Sequence, residues 1–132
     1  MADANIIVSA ILFPKSVVAK AFNHLIDNHE LVLSKYTIGE IEDVFTEKFP
    51  NRLIEMEAFI HKVPHEVFVL EEVDDNKYPN IRDIHDLPVL ANAVESKVDI
   101  LITGDKDFDD ISIESLLILK PRKYVDLFMG KG

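Results

Sequence analysis

The residues that could carry chemistry in this chain are carboxylates. Residues 101–110 read LITGDKDFDD, which sets Asp105, Asp107, Asp109 and Asp110 directly after an apolar run. Like charges ~4 Å apart repel by roughly 4 kcal/mol at a near-surface dielectric. Such a density either splays into water or surrounds a cation. Asp105, Asp107 and Asp109 match the D-x-D-x-D opening of a calcium loop, but its glycine position holds Asp110 and its closing glutamate position holds Leu116. Without the sharp turn and the bidentate ligand, that loop cannot close round calcium.

The other acidic positions of interest each have an ordinary structural role available. Asp3 precedes the apolar run Ile6, Ile7 and Val8 and fits a helix N-cap. Glu40 follows Thr37 by three residues, the spacing of a capping box with Thr37 at its head. Asp83 and Asp86 suit a helix N-terminus, where negative charge meets the positive end of the dipole. Asp86, however, shares a helical face with Leu90 and Ala93, an apolar stripe that is a poor setting for a solvated charge. Asp3, Glu40, Asp86 and Asp105 therefore form a set worth testing for convergence.

Convergence depends on the elements that carry them. Ser16 is a plausible N-cap for a helix whose Val18, Ala21, Phe22 and Leu25 share one face. Ile38, Ile41, Val44 and Phe45 mark another helix, Leu53, Met56 and Ile60 a third after Pro50, and Leu87, Leu90, Ala91 and Val94 a fourth. Pro88 must lie in the first turn of that fourth helix, which places its start near Asp86. Strands are expected at residues 30–33, 67–70, 98–102 and 116–119, a loop at 73–82, and a last helix from Pro121. Strands alternating with helices imply an α/β fold with a mostly parallel sheet covered on both faces. Ligands collect beyond the carboxyl ends of such strands. Asp3, before a helix over residues 5–12, and Asp105, past the strand at 98–102, then share a rim.

With 132 residues, 48% of them hydrophobic, and no glycine-serine linker, the chain reads as a single domain over residues 1–132. There is no cysteine, so a thiolate zinc site is excluded, and His24, His29, His61, His65 and His85 lack the H-x-x-x-H spacing. Converging carboxylates without soft ligands select a hard cation such as Mg2+ or Mn2+. That chemistry serves phosphoryl transfer, where the cation activates water and neutralises charge on the phosphate. A net charge of −10 argues against capture of nucleic acid by a broad positive field. Lys120, Arg122 and Lys123 form a local basic patch, and Arg82 and Lys106 lie beside the acidic loops. No apolar run reaches the ~20 residues of a membrane span, so a cytoplasmic setting without membrane contact is expected.

The motifs together resemble the PIN domain, and within it the PIN-type toxins of toxin-antitoxin systems. DANIIVSAILFP, from Asp3, resembles the opening aspartate motif, and LSKYTIGEIEDVF resembles the second segment, with Glu40 at its acidic position. RDIHDLPVLANAVESKVDILITGDKDF resembles the third and fourth acidic motifs, with Asp86 and Asp105 at those positions, and ILKPRKYVDLF resembles the subgroup's ending. The resemblance implies a three-layer α/β/α sandwich with a central, mostly parallel sheet, and a ribonuclease dependent on Mg2+ or Mn2+. By carry-over, Asp3, Glu40, Asp86 and Asp105 would be catalytic, with Asp3, Asp86 and Asp105 on the metal. Asn5 and Thr103 would orient these carboxylates, and Asp83 and Asp107 would support them from outside. RNA as substrate, a small antitoxin as partner and a homodimer are further family expectations. Three departures stand out: only Met1 and Ala2 precede Asp3, Ala4 occupies a position where the family usually carries a hydroxyl, and the net charge of −10 offers little positive surface for RNA.

A different class of function is a non-catalytic module that keeps the fold and binds RNA or a protein. Ala4 and the low positive charge motivate it. A phosphoacceptor receiver domain needs an aspartate at the end of a central strand, but the strands expected at 30–33 and 67–70 are followed by Ser34 and Glu71.

Overall fold

The computed structural model describes residues 1–79, 81 and 83–130. Arg82, expected beside the acidic loops, lies outside the described residues, as does Asn80 within the loop expected at 73–82. The helices are α1 (Ala4–Leu12), α2 (Val17–Asn28), α3 (Lys35–Lys48), α4 (Leu53–Lys62), α5 (Leu87–Glu95) and α6 (Pro121–Tyr124). The strands are β1 (Val32–Ser34), β2 (Glu66–Phe68), β3 (Ile100–Ile102) and β4 (Leu117–Leu119). Each expected strand is present but shorter; β3 and β4 lie within the expected bounds, whereas β1 runs one residue further, to Ser34, and β2 starts one residue earlier, at Glu66. The last helix opens at Pro121 as expected and widens into a π-helical turn over Val125–Met129.

Every pairing of these strands is parallel. β1 runs beside β2 with Leu33 opposite Val67, and β3 beside β4 with Leu101 opposite Ile118. The amino-terminal residues form a further parallel edge on β3. Asp3 donates its backbone N–H to the Ile102 carbonyl at 3.0 Å, and the Ile102 N–H reaches the Met1 carbonyl at 2.9 Å. The strands form two separate two-stranded sheets, β1 with β2 and β3 with β4. The amino-terminal edge runs parallel to β3, so residue 3 and residues 103–105 emerge at one end of that sheet, while residue 34 closes β1 in the other.

Alternation along the strands divides the interior in two. Ala2, Leu31, Leu33, Ile102 and Leu119 pack into one core with Ile7, Phe22, Phe45, Met56 and Tyr124 from the helices. Met1 and Leu101 turn to the other face, where they meet Val89, Leu90 and Ala93 of α5 and Phe108. Successive strand side chains point to opposite faces, so a sheet with apolar residues at consecutive positions must be covered on both. This makes the helix–sheet–helix layering. No single described helix is long and apolar enough to cross a membrane.

Local sequence explains where the helices start. The Asp3 side chain accepts from the Ile6 N–H at 3.0 Å and caps α1, and Ser16 accepts from Ala19 N–H at 3.1 Å and caps α2. At α3 the cap differs from the expected one. Ser34, the last residue of β1, accepts from Thr37 N–H at 3.0 Å. The helix therefore starts one turn earlier, and Glu40 lies too deep in it to serve a capping box headed by Thr37.

Candidate metal centre

Three connections at the strand ends deliver the acidic groups. Asp3 has 7% of its surface exposed, and both of its oxygens are engaged. Oδ1 takes the Ile6 N–H, and Oδ2 accepts a short hydrogen bond from the Thr103 hydroxyl. The helix-cap role and the rim position thus coexist in one residue. Each carboxylate oxygen has a second lone pair, so capping leaves Asp3 able to ligate. Thr103 is itself buried and also receives the Asp105 N–H at 3.1 Å, which ties the two aspartates to one hydroxyl.

Asp105 opens a short 3-10 turn over Lys106–Phe108, and its Oδ1 accepts from the Asp107 N–H at 2.9 Å. Asp83 does the same before the turn Ile84–Asp86, accepting from the His85 N–H at 2.9 Å. Asp86 ends that turn and starts α5, yet its side chain makes no capping hydrogen bond. Its Oδ2 is buried and accepts no hydrogen bond from a donor among the described residues, while the carboxyls of Asp105 and Asp107 lie within hydrogen-bonding reach of a protonated Asp86. A buried polar atom in that state costs about 1–3 kcal/mol unless a ligand satisfies it.

Asp3, Glu40, Asp86 and Asp105 line one small cleft of about 70 Å3, together with Asn5 and Ala4. Ala4 brings no polar atom to it. Glu40 reaches it from α3, on the same helical face as Tyr36, whose hydroxyl donates to the His85 carbonyl at 3.4 Å. A second, overlapping grouping is present at the outer side. One carboxylate oxygen from each of Asp83, Asp86 and Asp107 falls within 4.8 Å of the other two, spacing that suits a shared cation. Asp86 belongs to both groupings. Carry-over assigned Asp83 and Asp107 a supporting place, and their oxygens stand as near to Asp86 as ligands of one ion would. Spacing along the sequence carried no sign of this, because it depends on two short turns facing each other. Asp109, by contrast, is exposed and pairs with Lys120 at 3.1 Å.

Charge crowding is written into the proton affinities. Asp86 is pushed up to about 8, first by burial, then by the neighbouring Asp105, and further by Asp83 and Asp107. Burial also raises Asp3, against the lowering effect of the Thr103 and Ile6 hydrogen bonds, and the charge of Asp105 adds to the rise. Glu40 is raised by burial, then by Asp3 and Asp43. Even Tyr36 is raised, by burial and then by Glu40, Asp86 and Asp83. Mutual repulsion of this kind disfavours the all-ionised state unless a cation is present. The donor set is all oxygen, and among the described residues Asp83, Asp86 and Asp107 each bring one oxygen close enough to share an ion, so the residues fit a hard divalent ion.

A profile of the PIN domain matches residues 1–107. The chain belongs to the PIN domain family. Among solved structures, this PIN domain is similar to the crystal structure of VapBC2 from Rickettsia felis bound to a DNA fragment from their promoter. The two share 17% identity with a TM-score of 0.69, over 91% of this chain and 96% of the other. At that identity the likeness shows the fold alone. Among curated proteins, none matches the sequence.

Proposed function

We propose that this PIN domain is an endoribonuclease dependent on Mg2+ or Mn2+, acting as the toxin of a toxin-antitoxin pair. The observation that carries this reading is Asp86, a carboxylate with a buried oxygen that no described donor reaches, on a small cleft that Asp3, Glu40 and Asp105 also line. Asp3, Asp86 and Asp105 would hold the cation. When bound, the ion would lower the proton affinity of water and offset charge on the attacked phosphate. Asp86 would give up its proton as the site fills. Glu40, whose proton affinity is raised by burial and by Asp3, would accept a proton from the attacking water. Thr103 would keep the Asp3 carboxylate in one orientation, and Asn5 would line the approach. In-line hydrolysis of the phosphodiester needs no covalent intermediate. A neighbour solved as a VapBC2 complex supports a small protein partner for this chain. A homodimer in the cytoplasm follows from the family expectation.

Ala4 favours the second reading, a non-catalytic module that binds RNA or protein, because the cleft lacks an orienting hydroxyl there. One assay separates the two. Purified protein is incubated with labelled single-stranded RNA and Mn2+, with chelator in a parallel reaction. Cleavage that the chelator stops and that Asp86→Asn abolishes is expected. RNA bound but left intact with Mn2+ present would favour the module.

A further inference from the structure

Beside the carboxylate cleft lies a second cavity of about 280 Å3, and Asp105 lines both. Its lining combines apolar Ile111, Ile118 and the buried Phe108 with Lys120 and Lys123, and Asp109 also borders it. Lys120 is held by Asp109 at 3.1 Å. Lys123 is exposed and forms no ion pair among the described residues. A protein of net charge −10 has no general attraction for a polyanion, so any nucleic acid must be held by localised cations. Arg122, the third member of the basic patch, lies outside this cavity.

We propose that this cavity is a subsite for the nucleotide next to the scissile phosphate, with Lys123 contacting that nucleotide's own phosphate. The inference rests on the ribonuclease reading for its occupant. The volume sits just below the ~300–1,000 Å3 usual for small-molecule sites, which suits one nucleotide unit and not a folded partner. Apolar lining can receive the face of a sugar or base, and lysine side chains beside it can receive phosphate. Single-stranded nucleic acid repeats a phosphate at every unit, so one strand can pass Asp105 with one phosphate at the carboxylates and the next at Lys123. Lys123 is a positioning residue and touches no reacting atom.

The test compares Lys123→Ala with Arg122→Ala, which removes the same charge from the same short helix outside the cavity. Cleavage of a labelled single-stranded hexaribonucleotide is followed with Mn2+, and its binding is measured by anisotropy in the Asp86→Asn background across a salt series. Lys123→Ala is expected to raise KM and Kd several-fold with kcat held within about twofold, and to make the salt dependence of log Kd shallower by about 0.7. Arg122→Ala is expected to leave all three unchanged. Equal effects of the two substitutions, or none, with cleavage intact, would overturn the subsite and leave the ribonuclease reading standing. Binding that depends on Lys123 in a protein that never cleaves would retain the subsite and remove the ribonuclease. Absence of both cleavage and binding would remove both.

Discussion

The Thr103 hydroxyl, 100 residues away in sequence, donates to Oδ2 of Asp3 while accepting the Asp105 N–H, so a single oxygen fixes two of the acidic groups relative to each other. Thr103→Val keeps the shape and deletes both contacts. Because the site is buried, the cost to stability is expected at about 1–3 kcal/mol in chemical denaturation. The lost hydrogen bond had been lowering the proton affinity of Asp3, so its removal raises that affinity further. Cation binding should then move to higher pH. Wild-type stability and an unmoved pH profile would show that the hydroxyl does neither job.

The pH dependence of the metal-free protein follows from Asp86. An unfolded aspartate titrates near pH ~4, whereas folded Asp86 retains its proton up to about 8. A raised carboxyl stabilises the fold fully below the unfolded value and loses that contribution as pH climbs through the folded one. Asp3 and Glu40 shift in the same direction. Melting temperature in chelator should therefore fall between pH 5 and 8.5, and Mn2+ should restore it most at the alkaline end. Asp86→Asn should melt higher than wild type at pH 8.5 without metal, by roughly 3–5 °C for each kcal/mol of repulsion relieved. A metal-free wild type that grows more stable over the same range contradicts this.

A prediction away from the site concerns Lys97, which ends α5 at φ 60, the left-handed region that glycine occupies most easily. The strain costs about 1–2 kcal/mol, and glycine gives back part of it through its freer unfolded chain. Lys97→Gly should raise the unfolding free energy by about 0.5–1 kcal/mol, and the denaturation midpoint with it, while leaving the proposed RNA cleavage unchanged. A lowered midpoint would mean that contacts of the lysine side chain outweigh its backbone strain.

Much of this architecture could be read from residue types because it rests on local rules. Ser16 and Asp3 cap helices as their neighbours dictate, Pro88 lies in the first turn of α5, and the apolar runs at residues 100–102 and 117–119 are strands. Glu40 was harder to place. Ser34 closes β1 and caps α3 at once, so the helix starts a turn before the cap that Thr37 and Glu40 suggest by spacing. Tertiary relationships left no local trace. His24 meets the Tyr124 hydroxyl at 2.7 Å across the core, and the approach of Asp83 and Asp107 to Asp86 depends on two facing 3-10 turns. Periodicity reports which face a residue occupies, and it is silent on which two loops meet.

Asp86 is the proposed anchor of a divalent-cation site at the strand ends. Calorimetric titration of Mn2+ into wild type and Asp86→Asn at pH 8 tests it most directly. Wild type should take up Mn2+ at up to millimolar concentration with release of protons, and the variant should show no uptake while remaining folded. Equal Mn2+ affinity in the two proteins, or no uptake by wild type, would mean that Asp86 anchors no such site.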